Sequence, residues 1–399
     1  MSAWGIYAMY YLGRVNFSIA VPALEGDAQF SAAQLGAFTA GFFWAYSLGG
    51  IPSGWVADRY GVRWIVGAGM VGSGLMNLLF ISADSFGMAL AAWSANGVFQ
   101  SLGWAPLLGG IGRWVPEDVS DRVRAAFGSC FVAGTAITFA LGAVLVDLFG
   151  IEILFTGAAM VLVPVGVIWW LAVRDVVSNE VVRSGDKEPL GPVLWLLPPS
   201  AAIGAAYVAL LVWTPSYFVN VHGLTISRSG LYSAALPAIA IGATVAVGRR
   251  LRQTEGRRPA LIVAILLVAS SVGLGSIPLA SGLAAAFVLI AVTTALVSIT
   301  SSLVLGLFPS MTSPKRVAFA AGVFAFAFNM GGGAGAPVIG RLLDQGRWDQ
   351  AFLLLAVIVA AGAIWTGGWY SVGRLSSPVP SPAQRLSSTS AIRNRQDDD

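Results

Sequence analysis

Twelve stretches of this 399-residue chain are too long and too apolar for a water-soluble fold: 3–24, 32–56, 64–83, 86–112, 123–149, 153–173, 192–219, 229–247, 259–280, 283–308, 318–342 and 350–370. A bilayer core about 30 Å thick needs about 20 apolar residues of helix at 1.5 Å each, and these runs are of that order. Only 11% of residues are charged and the mean hydropathy is +0.76. A soluble domain carries about 25% charged residues. The chain therefore reads as an all-α polytopic membrane protein with twelve transmembrane helices. The longest hydrophilic break follows the sixth run, so the expected division is into two six-helix halves, 1–173 and 192–371, joined by a loop at 174–191. The Ser- and Pro-rich tail, 372–399, ends in three aspartates and reads as disordered.

Charge sets the orientation. If both termini share one side, the connections on that side hold nineteen of the 23 Lys and Arg, against three opposite, with Arg14 left over. The positive-inside rule then places both termini in the cytoplasm; the expected location is a bacterial inner membrane. The basic loops account for the pI near 9.4 through orientation and anionic-lipid contact, without nucleic-acid binding. One cysteine, Cys130, and one histidine, His222, leave no basis for a disulfide, a metal cluster or a cofactor. Neither Lys187 nor Lys315 stands in a phosphate-loop context, so the chain is not expected to hydrolyse ATP or to be an enzyme. The first run is too long for a cleavable signal and is expected to act as a signal-anchor.

Against this background Arg14 stands out. It lies near the middle of the first run, with about 15 Å of helix on either side, farther than a guanidinium easily snorkels. Such a residue must face protein or a watery cavity and is a functional-site candidate by default. No Asp or Glu lies at mid-depth in any run to neutralise it. Either a resident anionic substrate compensates the charge, or water and carbonyls in an open cavity do. We take the substrate as the working expectation.

Other polar and aromatic residues join this candidate site. Tyr7, Tyr10 and Tyr11 precede Arg14 by seven, four and three residues and would share one broad helix face with it. Phenols can donate to an oxyanion, although Tyr7 also suits an interface belt. Tyr46 is a weaker candidate in the second run. In the fourth run Asn96, Gln100 and Trp104 recur every four residues, lining a cavity or gluing helices together. In the seventh, Pro198-Pro199 and Pro215 are expected to interrupt the helix around Tyr207, Trp213 and Tyr217. In the eleventh, Asn329 precedes Gly331-Gly332-Gly333, Gly335 and Pro337, a closely packed segment whose glycines suit gating.

Between the second and third runs stands Gly54-Trp-Val-Ala-Asp58-Arg59-Tyr-Gly61-Val-Arg63. Gly54 would allow close helix contact, Asp58 could cap the next helix or pair across the half-interface, and Gly61 would turn the chain. This spacing resembles the signature loop of the major facilitator superfamily. Together with six-plus-six helices it implies that fold over nearly the whole chain. The stretches 10–22, 31–36, 96–106 and 213–217 are similar to organophosphate:phosphate antiporters, and 46–59 to the related anion:cation symporters. The resemblance implies that Arg14 grips an anion, helped by Tyr7 and Tyr11. It also marks departures. The antiporters' second gripping arginine falls at Tyr207, their histidine near Phe131 and their adjacent lysine at Val15, while Gly13 replaces an acidic residue common in the symporters. A monoanion is favoured over a dianion.

The expected function is thus secondary active transport of a small organic anion, a carboxylate or phosphate ester, by alternating access. Substrate-binding candidates are Arg14, Tyr7, Tyr11, Tyr10, Tyr46, Gln100, Trp104, Tyr207 and Asn329; structural and gating candidates are Gly54, Asp58, Arg59, Gly61 and Arg63. The expected partners are the anion, a coupling ion (proton, sodium or counter-anion) and lipid, with the protein as a monomer. The rivals are a drug or apolar-solute efflux transporter of the same fold, and a non-transporting membrane sensor.

Overall fold

Helix is the only regular secondary structure among the described residues of the computed structural model, which are 2–26, 30–116, 119, 123, 126–174, 194–252, 259–307 and 317–371. The first span is divided: α1 (Ala3–Tyr10) and α2 (Asn16–Gly26) flank a 3-10 turn at Tyr11–Gly13. The first half continues with α3 (Ala32–Tyr60), α4 (Val62–Ile81), α5 (Phe86–Trp114), α6 (Cys130–Phe149) and α7 (Ile153–Ala172). The second half contains α8 (Leu197–Asn220), α9 (Ile226–Arg252), α10 (Pro259–Ser276), α11 (Leu283–Leu307), α12 (Val317–Leu343) and α13 (Trp348–Ser371). Nine of these helices are individually long and apolar enough to cross a membrane. The others are the divided first span, α3 and α5, where the functional candidates cluster. The expected loop at 174–191, beyond Arg174, and the tail at 372–399 lie outside the described residues.

Local signals explain several boundaries. Ser31 and Gln34 form a reciprocal capping box that starts α3, and Ser85 accepts from the Met88 N–H to start α5. Gly61 joins α3 to α4 with φ 91°, a conformation that L side chains resist, so the turn needs glycine there. Gly54 has no such need: a Cβ there would meet the Ala105 Cβ of α5 at 4.0 Å, an ordinary van der Waals contact. Arg59 lies 5.7 Å from the rings of both Trp55 and Tyr60, and Arg63 lies 5.1 Å from Trp64. The side chain of Asp58 is outside the description.

The expected break in the seventh run does not occur. Pro198 and Pro199 sit in the first turn of α8, where a missing N–H costs nothing, and the helix runs on through Pro215. The discontinuity is in the first span instead, which contains no proline before Pro22.

Among the described residues the main contacts between the halves are α3 with α12, α6 with α9, and α2 with both α8 and α9. The α3–α12 contact brings backbone against backbone. A Cβ on Gly36 would collide with the Ala336 carbonyl, and one on Gly340 with the Ala32 carbonyl. Farther along, Trp44 Nε1 donates to the Met330 carbonyl and Ser47 Oγ to that of Phe326, each at 3.2 Å. At the Glu25 end the seam is latched by carboxylates. Asp344 accepts from the N–H groups of Ala32 (2.6 Å) and Ala33 (3.1 Å), capping α3 from the other half. Glu25 accepts from Ser216 Oγ and, at 3.0 Å, from Asn220 Nδ2.

Candidate functional site

The helix break places Arg14. Its φ and ψ, −124° and −49°, are not helical, and the N–H groups of Arg14 and Val15 both reach back to the Tyr11 carbonyl. Unwinding strands backbone carbonyls that lipid could not satisfy. A buried amide network meets them. Asn96 Nδ2 (2.8 Å) and Asn77 Nδ2 (3.2 Å) both donate to the Gly13 carbonyl. Gln100 Nε2 donates to the Tyr10 carbonyl (2.9 Å) and to Ser73 Oγ (2.8 Å), which in turn donates to Asn96 Oδ1. Asn16 Nδ2 donates to Asn77 Oδ1 (2.7 Å) and to the Leu154 carbonyl (3.0 Å). The regular spacing of Asn96 and Gln100 thus serves to hold the break open.

That break carries Arg14 into an aromatic cage at the seam. Its guanidinium carbon lies 4.7 Å from the Tyr46 ring, 5.2 Å from Phe43, 5.4 Å from Phe42 and 5.5 Å from Tyr11. Ring faces at this range attract a cation, more strongly when water is scarce. Nε has no hydrogen-bond partner, and no carboxylate pairs with the group among the described residues. The adjoining cavity, bounded by Phe17, Ser18 and Thr39 on one side and by Leu211 and Val212 of α8 on the other, has about 10 Å³ of room. That is the space of roughly one water. The guanidinium is not sealed: Arg14, Tyr46 and Tyr207 are all only half-buried.

The candidate residues fall into groups. Tyr46 and Tyr11 are in the cage. Tyr7 is one step behind: its hydroxyl lies 3.3 Å from that of Tyr46, and its ring packs on Tyr11 at 5.8 Å. Trp104 packs on Tyr7, 5.1 Å away, and stacks on Phe127. Tyr207, on the facing half, packs on Phe328 and lies within electrostatic reach of Arg14. Tyr10 turns away: it is fully buried and donates to the Val66 carbonyl at 2.8 Å. Its expected place beside Arg14 assumed an unbroken helix, and the 3-10 turn ends that periodicity. Gln100 is committed to the break, and Asn329 Nδ2 donates to the Ala325 carbonyl of its own helix at 2.7 Å.

Residue-by-residue reasoning missed Ser73 and Asn77, which a count of amides and hydroxyls inside the runs would have found. It also missed Phe42 and Phe43, which in an apolar run carry no signal. Gln100→Leu should leave the Tyr10 carbonyl and Ser73 without their partner, at about 1–3 kcal/mol for each buried group. The expected result is a clear fall in melting temperature with unchanged substrate preference in the protein that remains folded. A change in preference without destabilisation would show that Gln100 contacts substrate.

Comparisons with known proteins agree with this architecture. A profile of the Major Facilitator Superfamily matches residues 3–313. The chain is 24% identical over 390 residues to a chloroplastic ascorbate transporter of Arabidopsis thaliana, covering 88% of this chain and 71% of that one. It is 27% identical over 144 residues to a probable hexose phosphate transport protein of Chlamydia pneumoniae, covering 36% of this chain and only 32% of that one. Its fold matches a bacterial homologue of the human lysosomal transporter Spinster with a TM-score of 0.80 at 17% identity, covering 92% and 95% of the two chains. The family match spans well over half the sequence and agrees with helices that divide into two halves around a shared seam. This chain is a multi-pass membrane transport protein, not an enzyme, and belongs to the Major Facilitator Superfamily.

Proposed function

We propose that this protein is a secondary transporter for a small organic anion, a carboxylate or phosphate ester, which Arg14 holds at the seam while the halves rock around it. One observation carries the reading: a guanidinium caged by four rings, with an unpartnered Nε and no carboxylate paired with it among the described residues. A cation in that setting favours an anionic guest, and the break that exposes it lies where the halves meet. Relatives named for ascorbate and hexose phosphate transport support the same class. Tyr11, Tyr46, Tyr7 and Tyr207 are the phenols placed to help.

In this reading the halves are 1–173 and 192–371, both termini face the cytoplasm of a bacterial inner membrane, and the unit is a lipid-embedded monomer. A proton, sodium ion or counter-anion drives the cycle. Purified protein in proteoliposomes provides the test. Labelled carboxylates or phosphate esters should accumulate or exchange, and cationic dyes should not. Extrusion of cationic dyes with indifference to anions would overturn the proposal.

A further inference from the structure

Resting on the anion reading above, we infer that the Arg14 site is built for an aromatic monocarboxylate, and that it disfavours sugar acids and sugar phosphates. Three independent features converge on this class.

The first is charge. Among the described residues Arg14 is the one charged residue bounding the cavity, and the α8 side offers Leu211, Val212 and, nearby, the phenol of Tyr207. A dianion would carry its second charge into a low-dielectric space with nothing to meet it. The second is the wall. Tyr46, Phe42 and Phe43 surround the guanidinium, and Phe17 packs on Trp93 at 4.9 Å behind them. These flat apolar faces suit a flat apolar guest, whose ring can take offset or edge contacts with them. The third is the fate of the amides. A polyhydroxylated substrate needs several hydrogen-bond partners, and the sequence supplies Asn16, Asn77, Asn96, Gln100 and Ser73 close by. All five take part in the network at the helix break, where Asn16 Oδ1 alone is left without a partner, and none of the five bounds the cavity. Sugar hydroxyls entering there would meet Ser18, Thr39 and the phenols alone, fewer partners than the water they give up.

The cleft between the cage and α8 has room for about one water, so a ring enters it when Leu211 and Val212 draw back. A benzoate ring then takes their place against Phe42 and Phe43, with its carboxylate on the guanidinium.

Binding to the full-length protein in detergent, followed by thermal shift and by uptake into proteoliposomes, tests this with benzoate, glucuronate and glucose 6-phosphate. Benzoate should bind at least about tenfold more tightly than either sugar derivative, and Arg14→Ala should remove that binding. Tyr46→Phe should keep benzoate affinity within about threefold, while Tyr46→Leu, which removes the ring, should lose about tenfold. If glucuronate or glucose 6-phosphate binds as tightly as benzoate and depends on Arg14, the anion reading stands and the aromatic class falls. If none of the three binds, or binding persists without Arg14, both fall. Equal loss in Tyr46→Phe and Tyr46→Leu would assign the effect to the hydroxyl and overturn the stacking argument.

Discussion

Arg14→Ala should abolish anion uptake in proteoliposomes while leaving the protein folded. Truncating one partner of a buried charge interaction costs about 2–5 kcal/mol, so a fall of at least about 30-fold in transport is expected. The melting temperature should change little, because no carboxylate among the described residues pairs with the guanidinium. These two readouts separate binding from scaffolding. A large drop in melting temperature would show that the guanidinium holds the cage together. Arg14→Lys should also transport poorly: an ammonium keeps the charge but lacks the planar fork, and it stacks less well among rings. Full activity in the alanine variant would remove the basis for an anion site here.

The second large effect is expected at the seam. Gly340→Val places a branched side chain where the α12 backbone meets the Ala32 carbonyl, and no rotamer avoids that contact. Overpacking of this kind costs about 1–3 kcal/mol. Applied only to the conformer in which α3 and α12 close together, it shifts the balance between conformers by about 5–150-fold. The expected result is slow exchange from a well-folded protein biased toward opening at the Glu25 end. A cysteine introduced as S18C in a C130S background reports this directly. Ser18 borders the Arg14 cavity, so an impermeant thiol reagent added on the Glu25 side should label it faster in the Gly340→Val protein. Unaltered labelling with unaltered exchange would mean that the close approach plays no part in the cycle.

The architecture was legible in the sequence because lipid leaves so few choices. Apolar runs of the right length, with a basic bias in alternate connections, define a helical bundle with little help from packing. Arg14 was legible for the same reason, as a charge where hydrocarbon should be. Its surroundings were harder to read. Helical periodicity placed Tyr10 beside Arg14, but the 3-10 turn at Tyr11–Gly13 rotates it onto the Val66 carbonyl. No glycine pair or proline at that point announces a break. It exists because Asn77, Asn96 and Gln100, brought in from α4 and α5, can satisfy the stranded carbonyls. The same long-range cause explains why Gln100 looked like a ligand and is committed elsewhere. Conversely, Pro215 looked like a break and is not, since α8 has neighbours on nearly every side and stays helical. Phe42 and Phe43 carried no signal because a ring in an apolar run becomes part of a cage only through tertiary placement.

The divided first span has a mechanical consequence. Because the chain unwinds at Tyr11–Val15, α2 is a separate stiff rod about 16 Å long, at 1.5 Å for each of its 11 residues. One end begins two residues after Arg14, and the other carries Glu25, held by Ser216 and Asn220 of the opposite half. A tilt of that rod by a few degrees, pivoting on the amide cluster around Gly13, moves the far tip by an ångström or more. Occupancy at the guanidinium and the grip on α8 are thereby geared to each other through one short lever, without any signal having to cross the bundle.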